Sequence, residues 1–257
     1  MIRHLATAAI VLAALSAAPA CAERLIVSVS NHRVTITPNY AGEELVLFGS
    51  VERDDTAAPP PPYDLVVTIS GPPADFVTRR KEREFGIWAN ADSRQFLQVP
   101  SYLAIFANRA FDAITTPDLQ RSLKLGLDHI VLTQRVGTDY ADVVADDPFR
   151  RAFIRLRSEH GLYRQNTAAV TFLTPTLFRT TIPLPAEVPT GDYDVKIKLL
   201  SRGAFVTATS TSFEVVKVGF EQFVATSAHQ RALLYGLTIV AMALTTGWLA
   251  SVVFRRD

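Results

Sequence analysis

The stretch YDVKIKLL, residues 193–200, decides the fold class of this chain. Its apolar residues Tyr193, Val195, Ile197 and Leu199 alternate with mainly polar ones, which is typical of an antiparallel β-strand with one buried face. A turn sequence, PTGD, stands directly before it. A Pro-x-Gly-x-Tyr entry into an alternating strand is common in immunoglobulin-like sandwiches. The pattern therefore predicts a mainly β chain with an immunoglobulin-like β-sandwich.

Outward from this strand, β patterns fill two regions of the sequence. The C-terminal β region covers residues 169–218, and the N-terminal β region covers residues 23–110. Buried-type runs in the N-terminal region, such as ELVLFGSV (44–51) and YDLVVTIS (63–70), are separated by proline and glycine, as strands commonly are. The sequence leaves open whether the two regions build one sandwich or two.

Between the β regions, residues 111–168 predict an α-helical insert with two helices. The first begins at TPD (116–118), where threonine suits the cap, proline the first position and an acid the first turn. The second begins at DDP (146–148), with Phe149 and Phe153 at helical spacing behind it. We therefore expect two helices to interrupt the β-structure.

An uncharged apolar run, ALLYGLTIVAMALTTGWLASVVF, fills residues 232–254. A bilayer core of about 30 Å needs about 20 apolar residues in a helix, so this run predicts one C-terminal transmembrane helix. Residues 219–231 before it are expected to form a juxtamembrane stalk. Residues 255–257, which begin with Arg255 and Arg256, are expected to stay in the cytoplasm because positive charge is retained on that side.

Residues 1–22 have the pattern of a secretory signal peptide, with Arg3, a short apolar core and small residues at the end. We favour cleavage after Ala22. Cleavage after Ala20 is the competing prediction, and a lipoprotein cysteine at Cys21 is a further alternative, although the usual leucine before such a cysteine is missing. Export and the membrane helix together predict a type I protein of the bacterial inner membrane, with its ectodomain in the periplasm.

Charge and composition exclude several functional classes. Loss of Arg3 lowers Lys+Arg from 26 to 25, equal to the 25 Asp+Glu, and a neutral chain argues against nucleic-acid binding. The sequence has no nucleophile elbow, zinc-protease motif, P-loop or dinucleotide fingerprint, so we predict neither enzymatic activity nor a cofactor. The histidines are dispersed, and no metal site is expected.

Two basic clusters are the most informative polar residues. Arg79, Lys81 and Arg83 would share one face of a strand, and Arg151 and Arg155 lie one turn apart on the second predicted helix. If the clusters converge, they predict an anion site, because guanidinium groups suit phosphate, sulfonate and carboxylate. The alternative is a solvated surface paired with nearby glutamates. Trp88, beside the first cluster, is expected to point into the core.

Small residues recur every four positions in the apolar run, at Ala243, Gly247 and Ser251. Such spacing lets two membrane helices approach closely. It indicates a homodimer or a contact with another integral membrane protein, although the same spacing also arises by chance.

Several segments together resemble a known family, the uncharacterised alphaproteobacterial "putative transmembrane proteins". They are NHRV (31–34), LFG (47–49), RRKER (79–83), GIWAN (86–90), VPSY (99–102), GLY (161–163), LFR (177–179), IPLP (182–185), YGL (235–237) and GW (247–248). The resemblance implies an ectodomain with a single C-terminal membrane helix and supplies no reaction or ligand. Members are encoded near sulfite-exporter-like permeases, which implies, weakly, a transport partner.

The sequence thus predicts a membrane-anchored periplasmic accessory or interaction protein that works beside an integral membrane partner, such as a transporter. The alternative function is a membrane-tethered binder of a small anion, through the arginine clusters.

Overall fold

The computed structural model of the chain describes residues 23–53, 59–136, 139–142, 146–219 and 232–253. The predicted signal peptide (1–22), most of the stalk (220–231) and the predicted tail (255–257) lie outside the described residues.

The described part of the chain is mainly β, as the sequence predicts. Its strands are β1 Arg24–Val29, β2 Arg33–Ile36, β3 Glu43–Glu52, β4 Tyr63–Ser70, β5 Pro73–Glu84, β6 Ile87–Pro100, β7 Leu103–Ala107, β8 Thr133–Val136, β9 Asp139–Asp142, β10 Tyr163–Asn166, β11 Val170–Phe172, β12 Leu177–Leu184, β13 Gly191–Ser201 and β14 Ala204–Lys217. Its α-helices are α1 Phe111–Ile114, α2 Pro117–Leu123, α3 Pro148–Glu159 and α4 Ala232–Val253, and a 3₁₀ turn covers Leu127–His129.

These strands form three sheets, each with its own strand order. Sheet I has the order β1-β3-β12-β11, and sheet II has the order β10-β7-β4-β13-β14-β2. Sheet III has the order β5-β6-β8-β9. Sheets I and II each take strands from both ends of the ectodomain sequence, so the two predicted β regions are interleaved in the same sheets.

Strand β13, which contains residues 193–200, lies near the middle of sheet II, between β4 and β14. Tyr193, Val195, Ile197 and Leu199 are fully buried, so the predicted alternation is confirmed. Tyr193 stacks on Phe213 of β14, with 4.9 Å between ring centroids. Burial of this row stabilises sheet II by removing apolar surface from water.

One hydrophobic core joins sheets I and II. Leu45 and Leu47 of sheet I belong to the same buried cluster as Leu65 and Ile197 of sheet II. The Tyr102 hydroxyl, between β6 and β7, donates a 2.8 Å hydrogen bond to the carbonyl oxygen of Pro183 in β12. A buried tyrosine usually needs such a partner, and this bond links sheet I to the short connection between β6 and β7.

The two predicted helix starts are confirmed. Helix α2 begins at Pro117 and helix α3 at Pro148. The Asp147 carboxylate caps α3 by accepting hydrogen bonds from the backbone N–H of Phe149 at 2.6 Å and of Arg150 at 3.3 Å. Such a cap supplies partners for N–H groups that the first turn of a helix leaves free.

Residues 111–168 are only partly helical. Helix α2 ends after seven residues because Lys124 adopts a left-handed conformation with φ of 54°. Beyond it, β8 joins β6, and β10 pairs in parallel with β7. The segment predicted as a helical insert therefore also supplies strands to sheets II and III, a pairing that local helix signals do not report.

Sheet III is dominated by a long antiparallel hairpin, β5 and β6. Helix α3 packs on its base, where Phe153 contacts Phe96 at 4.7 Å and Phe76 at 5.7 Å between ring centroids. No described element covers the opposite end of the hairpin. The prediction that Trp88 lies in the core is wrong: 70% of its surface is exposed, because no described element covers this end of the hairpin.

Helix α4 has 22 residues and begins where the apolar run begins. Over the residues whose side chains are described, which for α4 are 236–251, no helix is long and apolar enough to cross a membrane.

Candidate functional site

The turn of the β5–β6 hairpin holds an aromatic residue in an unfavourable backbone conformation. Glu84 pairs with Ile87, so the turn consists of Phe85 and Gly86 alone. Both have positive φ, 47° and 88°. Two-residue turns of this kind normally carry Asn-Gly or Asp-Gly, because a bulky residue at positive φ is strained. The Phe85 side chain is also fully exposed, so packing in the described structure does not explain it.

Phe85 belongs to a larger exposed apolar surface, which we call the arm tip: Phe85, Ile87 and Trp88. Ile87 and Trp88 each expose 70% of their surface. Single exposed apolar residues are ordinary, but three of them within four consecutive positions at the end of a hairpin concentrate apolar surface there. Strain and exposure at the same place are typical of a functional element.

The strand beside the arm tip is basic. Residues 79–88 contain four basic and two acidic side chains. Arg80 pairs with Glu82 at 2.8 Å, and the Arg83 Nε donates to the Gly86 carbonyl oxygen at 3.5 Å. Within the described residues, the side chains of Arg79 and Lys81 make no ion pair or hydrogen bond. The β5–β6 hairpin, which we call the arm, therefore presents an apolar end with unneutralised positive charge behind it.

Three of the five predicted anion-site residues border one groove. This basic groove, about 400 Å³ in volume, lies between β5 and α3. Arg79, Lys81 and Arg155 line it together with Thr78, Arg80, Pro148, Phe149, Ala152 and Leu156. Arg83 lies nearer the turn and Arg151 pairs with Asp146 at 3.4 Å, and neither lines the groove.

Strand geometry limits how far the groove can concentrate charge. Phe76 packs on α3 and Thr78 is buried, so alternate residues of β5 face the helix. Arg79 and Lys81 therefore start from the opposite face of β5 and border the groove without converging in it. Arg155 is 71% exposed and lies 3.9 Å from Glu159, a weak surface pair.

Two further arginines of α3 have structural roles. Arg150 is buried and donates hydrogen bonds to the carbonyl oxygens of Leu127, Asp128 and Ile130, which fixes the loop before β8. Arg157 donates to the Ser101 carbonyl oxygen and lies over the Phe76 ring, 4.4 Å from its centroid. Burial lowers the pKa of the Arg157 guanidinium. Sequence patterns alone do not separate buried Arg150 and half-buried Arg157 from exposed Arg151 and Arg155.

The small-residue positions Ala243, Gly247 and Ser251 lie on α4 and are exposed in the single chain. A side chain added at Gly247 would meet no atom within 4 Å in the described structure. Their face is therefore open to a second helix.

No three histidine, cysteine, aspartate or glutamate side chains of the described ranges lie close enough together to hold a metal ion.

Comparisons with known proteins identify a family but provide no relative of known function. No curated protein matches the chain. Among solved structures, the N-terminal domain of the Streptococcus gordonii adhesin Sgo0707 matches 75% of this chain and 32% of its own, at 8% sequence identity and a TM-score of 0.27. The chain thus spans about a third of that structure, and so low a TM-score carries no argument about fold or function.

The family described as "Putative transmembrane protein (Alph_Pro_TM)" matches residues 24–256, which is nearly the whole chain. This is the family that the sequence segments resemble. The chain therefore belongs to this family.

Proposed function

We propose that the protein is a membrane-anchored accessory protein that binds an integral membrane protein through the arm tip. It has no catalytic role in this proposal. The ectodomain, an immunoglobulin-like sandwich in the periplasm, holds the arm away from the core, and α4 anchors it in the inner membrane.

The membrane anchor is supported by the family and by the length of α4. A helix of 22 residues is about 33 Å long at 1.5 Å per residue, which matches a bilayer core. Its sequence carries no charged residue, so it suits an anchor and provides no ion pathway. The orientation rests on the predicted signal peptide and on Arg255 and Arg256.

The arm tip is the observation that carries the proposed interaction. Aromatic residues and arginine are the side chains most enriched where binding energy concentrates in protein interfaces. Positive charge behind the tip fits a partner whose surface is acidic. We therefore expect an apolar pocket with carboxylates at its rim on the partner protein.

Photo-crosslinking from the arm tip tests this proposal. A photoreactive amino acid replaces Trp88 in the full-length protein in native membranes. The matched control carries it at Ile26, another exposed apolar residue, on sheet I. We expect residue 88, and not residue 26, to crosslink to an integral membrane protein at a segment rich in acidic residues.

The same experiment separates other occupants of the arm tip. Adducts with lipid alone would mean that the tip binds the membrane surface, and adducts with a second copy of this chain would mean self-association. Either result would overturn the accessory function. A helix-mediated homodimer is tested separately by Gly247→Leu, which should disrupt close helix approach if α4 dimerises through Ala243, Gly247 and Ser251.

The basic groove supports a second candidate function, binding of a small anion. The observation in its favour is that Arg79, Lys81 and Arg155 border one cavity. Sulfite, a sulfonate or phosphate should then raise the melting temperature of the full-length protein, and Arg155→Gln should reduce this shift. A shift that Arg155→Gln leaves at its full size would exclude the groove as an anion site.

A further inference from the structure

A second cavity lies on the face of sheet II that is turned away from sheet I, under the end of α2. It has a volume of about 430 Å³. We call it the lysine pocket and define it by Lys124, Lys196, Lys198 and Thr68, which all line it. The remaining walls are mostly apolar and come from β4, β7, the end of β6, the end of α2 and the chain after it.

The three lysines reach the pocket from two directions. Lys196 and Lys198 are two residues apart on β13, so they project from the same face of the sheet. Lys124 comes from the opposite side, at the residue that ends α2. The Lys198 ammonium donates a hydrogen bond to the Leu123 carbonyl oxygen, which holds it under the helix end.

The positive charge of the pocket is not balanced by its lining, which contains no carboxylate. Burial lowers the pKa of the Lys198 ammonium, and the charges of Lys196 and Lys124 lower it further. Asp194, two residues from Lys196 on the same face, is exposed and forms no ion pair within the described residues. Like charges held together in this way destabilise the folded chain unless a counter-charge is present.

An unsatisfied hydroxyl lies at the floor of the same pocket. Thr68 pairs directly across the sheet with Lys196. Its Oγ1 is buried and makes no hydrogen bond to any described residue. A buried polar atom without a partner costs the folded chain free energy.

A purely structural role explains only part of this arrangement. Lys198 caps the carbonyl end of α2, where a cation is favourable. That role requires neither Lys196 nor Lys124, and it leaves Thr68 unsatisfied. A small anion would balance the charge of all three lysines.

We propose that the lysine pocket binds a small oxyanion, with Lys124, Lys196 and Lys198 supplying the positive charge and Thr68 at its floor. The ligand class is phosphate, sulfate or a phosphate monoester, because charge-assisted hydrogen bonds from several ammonium groups suit such anions. This site is separate from the arm tip and from the basic groove, and it does not depend on the function proposed above.

The test measures thermal unfolding of the full-length protein in detergent with sulfate, inorganic phosphate or glycerol phosphate. Sodium chloride at the same ionic strength is the reference. We expect a saturable rise in melting temperature, as for any ligand that binds only the folded state. Stronger binding of glycerol phosphate than of inorganic phosphate would identify a phosphate ester, such as a lipid headgroup, as the source.

Matched lysine variants locate the effect. Lys196 is exposed and makes no contact that the fold requires, so Lys196→Gln should weaken sulfate binding about tenfold without loss of stability. Lys217→Gln, which changes an exposed lysine on β14 outside the pocket, should leave binding unchanged.

Three results would overturn the lysine pocket as an anion site. The first is a melting temperature that does not rise above the chloride reference. The second is a rise that Lys196→Gln leaves intact. The third is a Lys196→Gln protein that is less stable than wild type without anion, since removal of an uncompensated charge should not destabilise the fold.

Discussion

The core sheets and the hairpin arm are both built from β-strands, yet their apolar side chains have opposite exposures. Ile197 in β13 is fully buried, whereas Ile87 at the start of β6 exposes 70% of its surface. The difference comes from the layer that faces each strand. Sheet I covers the inner face of sheet II, and α3 covers the base of the arm, but no described element covers the arm tip.

This comparison shows that an apolar residue in a strand has no fixed role. The core residues stabilise the fold by leaving water. The arm-tip residues remain in water, and one of them, Phe85, also occupies a strained turn. The exposed and strained arm tip lowers the stability of the folded chain. This cost is explained if the binding of a partner at the arm tip is favourable enough to offset it.

The largest expected difference comes from the same substitution in the two regions. Ile197→Ala should lower the free energy of unfolding by about 2–5 kcal/mol, because it leaves a cavity in a packed core. Ile87→Ala should change it by no more than about 0.5 kcal/mol, because its side chain is exposed. Urea unfolding of the full-length protein in detergent measures both. Equal losses would show that the arm tip is packed like the core.

A second comparison uses two arginines of α3. Arg150→Ala should cost about 2–4 kcal/mol, since three backbone carbonyls lose a charged donor in a buried position. Arg155→Ala should cost at most about 0.5 kcal/mol, because its pair with Glu159 is exposed. The same unfolding experiment applies, and a large loss at Arg155 would mean that the basic groove is part of the core.

The loss of stability at alkaline pH should depend on buried tyrosines in the core. Burial raises the pKa of Tyr102, Tyr163 and Tyr193 above the ordinary 10.0. Above pH 10 the unfolded chain therefore releases protons that the folded chain keeps, and stability falls as pH rises, by about 1 kcal/mol per tyrosine at pH 11. Stability at and below pH 9 should be unaffected by these groups.

Tyrosinate absorbance during the pH titration checks the alkaline prediction. The absorbance of the three core tyrosines should appear together with unfolding. Full ionisation of these residues while the protein stays folded would contradict their burial.

The smallest expected effect on stability is at the arm tip, and its sign is opposite. Phe85→Asn should raise the free energy of unfolding by about 0.5–1 kcal/mol, because asparagine tolerates positive φ in a two-residue turn. Thermal unfolding measures this gain. A loss of stability would mean that Phe85 packs within the protein and is not held out for a partner.

The sequence predicted the parts of the fold that depend on local pattern. The alternation in residues 193–200, the proline helix starts at Pro117 and Pro148, and the family resemblance are all confirmed. Each of these depends on a few neighbouring residues, so no knowledge of distant contacts is required.

Features that depend on distant pairing could not be predicted in this way. Trp88 resembles a core residue in sequence, and only the absence of a covering layer exposes it. Lys124 and Lys196 are 72 positions apart in sequence and meet only because α2 ends over β13. The positive φ of Phe85 follows from the two-residue turn, and the glycine at position 86 could have suggested such a turn between β5 and β6.

The most direct test of the arm-tip function compares partner crosslinking in wild type and Phe85→Asn, with the photoreactive group at residue 88 in both. Our account predicts that the yield of the crosslinked integral membrane protein falls at least about tenfold, the change expected for an interface anchor worth 1.4 kcal/mol or more, although the variant is more stable. An unchanged yield in a stably folded Phe85→Asn protein would contradict the claim that the arm tip is the docking element.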